Sequence, residues 1–406
     1  MARTPKPTPR LPLRANAPGR GLLLTSLALL CLGVVMVHSA VAAVAHQGPW
    51  YSRLDVRHTL FAAVAALVLA AGWLADYRLL AGRRDEPARM GRGDPPPRSF
   101  PWPAAVLLAL AGVCAALVFV PGVGHAVGGK YRWIRLGPRA YAIGFQPSEL
   151  LKIALVAFLA AWLARPGASP RTWRSFVPAA GAVAACLALV VTQDLGTAMV
   201  IAAASWAALL LAGVPWTVLA GLLAAGGGAA YYFVMAAPYR MARFTAMVDP
   251  LGSVGNPSAY QPRQSLLSVV TGGMTGKGLG RGTIKLGYLP EAPTDFIFST
   301  YCEEWGLVGA LLLLGLIVCW LWHAWRATLA APTPFGRLLC GGLGFLIGLQ
   351  AVLHVAVDLV ACPPTGMGLP FVSAGGTALV TTAGATALMI SVSARRRPGD
   401  APGREQ

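Results

Sequence analysis

Acids are scarce in this chain, with 15 Asp and Glu in 406 residues. Four of them stand in the stretch LPEAPTDFIFSTYCEEWG (residues 289–306), Glu291 in a polar loop and Asp295, Glu303 and Glu304 around the point where that loop turns into an apolar run. Immediately upstream, TGGMTGKGLGRGTIKLG (271–287) sets Lys277, Arg281 and Lys285 among glycines, which let backbone N–H groups approach an anion closely. Arg240, Arg243 and Arg263 precede them in the same long loop, 238–299. A diphosphate fits that chemistry, and a surface loop whose basic residues face anionic lipid headgroups accounts for the same residues. A nucleotide-binding P-loop does not fit, because Thr271 stands where its first glycine belongs and Gly278 where Ser or Thr must follow the lysine. A third polar group lies in GGKYRWIRLGPRAYAIGFQPSELLKIAL (128–155), which interleaves Lys130, Arg132, Arg135 and Arg139 with aromatic rings and ends in Glu149 and Lys152 on one helical face. That pair is either a neutralising ion pair or the wall of a polar cavity.

The elements that must carry these residues are transmembrane helices. The chain is 56% hydrophobic and 12% charged, with a mean hydropathy of +0.61, values foreign to an ordinary soluble domain. Apolar stretches of spanning length fall at 21–45, 58–76, 103–122, 147–164, 176–192, 196–213, 217–237, 300–321, 338–361 and 373–393. The expected fold is therefore an all-α polytopic membrane protein of ten helices with a large extracytoplasmic loop between the seventh and eighth. Of the Lys and Arg residues in loops and tails, 20 fall on one side and 12 on the other, which places both termini in the cytoplasm. The first stretch is too long for a cleaved signal and reads as a span. Residues 1–20 and 394–406 read as cytoplasmic tails around a single membrane domain, 21–393, and the tail 1–14 and loop 83–100 have flexible-linker composition. The net charge of +18 follows largely from the cytoplasmic loops and implies no nucleic acid. The seven cysteines show no metal-ligand spacing and are expected to form no disulfides.

Polar residues inside the spans have quieter readings. Asp194 in TQDLGTAM suits the cap of a helical-hairpin turn, and His354 and Asp358, four apart, satisfy one another across a helical turn. PPTGMGLP (363–370) must break a helix, and irregular backbone at membrane depth needs protein or water beside it, so a cavity is expected near the outer ends of spans nine and ten.

Taken together, RWIRLGP, FQPSELLK, QDLGT, PYRMARFTAMVDP, YQPRQSLLSVVTGGMTGKGLGRGTIKLGYLPEAPTDFIFSTYCEEWGLVG and LPFVSAGGT resemble the SEDS family of shape, elongation, division and sporulation proteins, FtsW, RodA and SpoVE, over about residues 21–397. The resemblance implies a ten-helix peptidoglycan glycosyltransferase that polymerises lipid II, an undecaprenyl-diphosphate-linked disaccharide pentapeptide, at the outer face of the bacterial cytoplasmic membrane. It implies a class B penicillin-binding protein as partner, for division or for elongation. The acid essential for polymerisation falls on Asp295, and the polar cavity pair on Glu149 and Lys152. Asp295 is then the general base for the acceptor hydroxyl, with Lys277, Arg281, Lys285, Arg240, Arg243 and Arg132 as candidates for substrate binding. A capping acid in the first helical turn, worth about 0.3–1 kcal/mol, is the competing account of Asp295. No cofactor is implied, and a divalent cation beside the diphosphate is left open. The family usually has SYGGS in place of SAGGT, Asn in place of His354, often Lys in place of Thr365, and QPDxGT in place of TQDLGT. A lipid II flippase and a non-catalytic scaffold are the alternatives.

Overall fold

The computed structural model describes residues 11–42, 50–82, 100–127, 129–137, 143–252, 256–283, 286–289 and 291–395. Residues 1–10 of the expected tail 1–14 and residues 83–99 of the expected linker 83–100 lie outside them, as do Arg139 and Lys285.

A helix occupies each of the ten expected stretches: α1 Ala17–Val41, α2 Leu54–Gly72, α3 Trp102–Leu117, α4 Pro147–Leu163, α5 Trp173–Val190, α6 Leu195–Leu211 and α7 Trp216–Met235, then, after the long loop, α10 Ile297–Ala330, α11 Pro334–Asp358 and α12 Gly376–Ser393. Seven of them are long and apolar enough to cross a membrane, while α3, α4 and α6 have 16, 17 and 17 residues. The loop between α7 and α10 is itself partly helical, with α8 Pro238–Val248 and α9 Pro257–Gly272.

Helices α4 and α11 form the middle of the bundle. Most of α4 is buried, from Leu151 through Leu163 with the exception of Ile153, and α11 contributes Leu339, Leu343 and Ile347 to the same core. At the opposite extreme α7 buries only Leu219, and most of its other apolar side chains are left for lipid.

Three short strands stand outside the helical pattern: β1 Gly124–Val127, β2 Lys130–Leu136 and β3 Ile143–Phe145, paired antiparallel in the order β1-β2-β3. Ile134 pairs with Gly124 on one side and Phe145 on the other. β3 passes through Gln146 straight into α4, with Pro147 at the first helical position where its missing N–H costs nothing. The sheet thereby carries Arg132 over the helix that holds Glu149.

The 34-residue α10 is two helices joined at Gly306, where φ is 66° and ψ is −166°. Such a break frees backbone groups, and each must find a partner. The glycine-rich loop supplies them. Leu307 and Val308 donate to the carbonyls of Gly273 and Met274, while Lys277 and Gly278 donate to the carbonyls of Glu303 and Glu304. The approach is so close that a β-carbon on Gly306 would collide with the Gly276 nitrogen.

Candidate active site

Asp295 lies one residue before the cap of α10, and Phe296 in the cap position makes no side-chain capping bond. No acid occupies the first turn of that helix. The capping account of Asp295 therefore fails. Among the described residues no hydrogen bond or ion pair ends on its carboxylate. Its backbone N–H donates to the carbonyl of Glu291, which turns the chain so that both acids face one cavity of about 290 Å³.

The walls of that cavity come from six regions: β2 with Arg132, α4 with Glu149, the turn carrying Glu291 and Asp295, α11 with Gln350, the broken segment from Gly366 to Gly375, and the start of α12 with Ala378 and Thr382. The cavity thus adjoins PPTGMGLP, where the prolines and glycines stop α11 from continuing. Two non-glycine residues on the wall, Glu291 (φ 61°) and Phe371 (φ 66°), sit in the left-handed region, a strain of about 1–3 kcal/mol each that clusters where side chains must be aimed. Asp295 Oδ2 and Arg132 Nη1 both lie 3.6 Å from the point that a β-carbon on Gly366 would occupy.

Electrostatics at this point are mixed. Burial first, and then the Glu291 carboxylate, push the Asp295 carboxyl up to about 6; Arg132 and Arg243 oppose them, and Asp194 adds to the push. Desolvation, with the neighbouring carboxylates, therefore overrides the stabilisation of the charged form by the two guanidinium groups. Arg132 is held by Asp194, 3.1 Å from its Nη1, and by the carbonyl of Gln193. Asp194 also caps α6 by accepting from Thr197 N–H at 3.0 Å. Arg243 Nη1 donates to the carbonyl of Pro364 at 3.1 Å, on the broken segment. Among the described residues no three His, Cys, Asp or Glu side chains converge on a point that could hold a metal ion.

Glu149 and Lys152 form a buried pair with 2.8 Å between Oε1 and Nζ. Glu149 is on the cavity wall and Lys152 stands behind it, so the pair is both a neutralising ion pair and part of the lining.

The expected anion cradle at 271–287 is built, but the protein fills it with its own carboxylates. Lys277 Nζ lies 2.7 Å from Glu303 Oε1, which also accepts from the N–H and hydroxyl of Thr283. Glu304 accepts from Gly280 N–H and from the Ser39 hydroxyl of α1. Lys277 is committed to an acid that is fully buried, and none of the described residues of this loop lines the Asp295 cavity. Arg281 is exposed, and Arg240 turns to Tyr239 and the carbonyl of Phe233. Of the basic candidates among the described residues, Arg132 and Arg243 are the two that act on Asp295.

Glu291, Ser373 and the β-sheet were not foreseen as parts of the site. The acid at 291 is visible in the sequence, but its left-handed backbone, which aims it at Asp295, leaves no mark in residue type.

Residues 100–398 match the family model FTSW_RODA_SPOVE, described as "Cell cycle protein". A protein of Geobacter sp. (strain M18) named "Probable peptidoglycan glycosyltransferase FtsW" is 33% identical over 93% of this chain and 96% of its own length. One of the same name from Alkalilimnicola ehrlichii is 37% identical over 91% and 88%. Among solved structures, a chain from a study of the structural coordination of polymerization and crosslinking by a peptidoglycan synthase complex superposes with a TM-score of 0.70, at 28% identity over 92% of this chain and 97% of that one. The rod shape determining protein RodA of Thermus thermophilus gives 0.63, at 26% identity over 92% and 95%. The chain belongs to the FtsW/RodA/SpoVE family of cell cycle proteins.

Proposed function

We propose that this multi-pass protein of the cytoplasmic membrane is a peptidoglycan glycosyltransferase that polymerises lipid II at the outer membrane surface, with Asp295 as general base. The observation that carries the reading is a carboxylate with no side-chain partner among the described residues, on a cavity wall, its pKa raised to about 6, with Arg132 across Gly366 from it. An acceptor sugar hydroxyl must lose its proton as its oxygen attacks the anomeric carbon of the donor. A carboxylate titrating near neutrality suits that transfer, because it is largely ionised at pH 7 and yet basic enough to accept. The departing diphosphate gains negative charge, which the guanidinium groups of Arg132 and Arg243 offset. Glu149, neutralised by Lys152, closes the wall without adding a free charge.

The names of the curated relatives support the activity, and their shared FtsW name favours the division branch over elongation. The synthase-complex structure supports a crosslinking partner of the class B penicillin-binding type. A flippase would need polar residues through the thickness of the bilayer, whereas the cavity's ionisable groups gather where the helices meet the outward loops.

The test is Asp295→Asn, in full-length protein reconstituted with lipid II. Because the carboxylate caps no helix and its burial disfavours the charged form, thermal stability at neutral pH should equal or exceed that of the wild type, and glycan formation should fall by about 10²–10⁴-fold. Near-normal synthesis by the folded variant would sink the assignment.

A further inference from the structure

Two buried ionisable residues on α11 have no part in the chemistry above, and both bond to segments that build the cavity. His354 Nδ1 faces the carbonyl oxygen of Met367 at 2.9 Å. That nitrogen must carry the ring proton and donate it. Met367 belongs to the broken segment and lines the cavity. One helical turn further on, Asp358 Oδ2 accepts the backbone N–H of Ser299 at 2.8 Å. Ser299 is in the first turn of α10, four residues after Asp295, where the N–H groups have no partners within the helix. The Ser265 hydroxyl of α9 donates to the Asp358 carbonyl at 2.7 Å, which fixes the end of α11. His354 Nε2 and Asp358 Oδ2 are 3.7 Å apart, and both side chains are wholly buried.

We propose that His354 and Asp358 are positioning residues: they clamp the start of α10 and the 366–369 rim to a single helix, and so set the distance between Asp295 and the opposite wall. The argument is one of geometry. Asp295 has no side-chain partner among the described residues, so its direction depends on the backbone that follows it. That backbone is anchored through Ser299 to Asp358. Gly366, the point shared by Asp295 and Arg132, is anchored next door through Met367 to His354. A displacement of about 1 Å in such a site can cost roughly 100-fold in rate.

The clamp's role in turnover rests on the polymerase reading, and the test separates the two. His354→Leu removes the donor, whereas His354→Asn keeps an amide N–H₂ where Nδ1 stands. Asp358→Leu removes the acceptor, whereas Asp358→Asn keeps an oxygen for Ser299. Each full-length variant is assayed for kcat and KM with lipid II and for hydrogen exchange of the amides in the segment its residue anchors, 297–300 for Asp358 and 366–369 for His354. Both Leu variants should exchange faster there and lose roughly 10- to 100-fold in kcat with little change in KM, and both Asn variants should recover most of that loss. Exchange does not depend on the identity of the reaction, so unchanged protection in the Leu variants overturns the clamp even if the wild-type protein makes no glycan. Equal loss in the Leu and Asn variants also overturns it, since packing alone would then be at work. If His354→Leu fails to fold, the Asp358→Leu and Asp358→Asn comparison decides by the same criteria.

Discussion

Asp295 Oδ2 and Arg132 Nη1 stand at equal distances, 3.6 Å, from the position of a β-carbon on Gly366. Gly366 has a φ of 71°, which favours glycine and which asparagine tolerates better than alanine. A side chain there would reach into the space between base and guanidinium. We expect Gly366→Asn to keep the fold, with a loss of stability of about 1 kcal/mol, and to lose most glycan synthesis. Wild-type turnover in Gly366→Asn would show that nothing passes between the two groups.

The pH dependence follows from the raised pKa of Asp295. The base form is needed, so the rate should hold at neutral pH and decline as pH falls through about 6. Removing the Glu291 charge takes away one of the upward pushes, so Glu291→Gln should move the acid limb to lower pH. Arg132→Gln should move it the other way. Initial rates across pH 5–8, the range in which roughly such shifts are visible, check both signs. Identical limbs in the three proteins would mean that another group titrates.

At the clasp over α10, Lys277→Met would remove the charged partner that lies 2.7 Å from the fully buried Glu303, while the bonds from Thr283 and Ser268 remain. Lys277 is partly solvated, so the cost is set nearer that of a charged hydrogen bond, about 1–3 kcal/mol. Arg281→Ala, on an exposed residue, should cost almost nothing in stability. Thermal unfolding of the two variants separates a structural clasp from a substrate cradle: similar melting points together with similar loss of lipid II use would restore the cradle.

For the pair at the start of α4, Lys152→Met strands a buried carboxylate at a cost of about 3–5 kcal/mol. Glu149→Gln/Lys152→Met removes both charges and should regain most of that stability. Because Glu149 also lines the cavity, the double variant should fold and yet polymerise poorly. Full activity in the double variant would assign the pair to stability alone.

How far the sequence was legible differs from one element to the next. Spans were readable because bilayer thickness imposes a length and an apolar composition, and α1, α2 and α11 lie where those rules put them. The break at PPTGMGLP was readable because proline cannot donate, and the cavity adjoins it. The sheet was not, since three strands of 4, 7 and 3 residues, with a shift in register between His125 and Ala126, leave no clean alternation. Lys277 shows the limit of reading charge. Glycines and a lysine declare an anion site, but only packing reveals that Glu303, 26 residues later, is the anion.

Helix α7 buries a single residue and runs, two residues after its end, into α8, whose Arg243 holds the carbonyl of Pro364 at the edge of the cavity. Such a span leaves most of its apolar surface to the hydrocarbon, and it is held to the bundle by Trp206, whose indole N–H donates to the Leu219 carbonyl at 3.0 Å. One arginine thereby ties the lipid-facing edge of the bundle to the segment that carries Gly366.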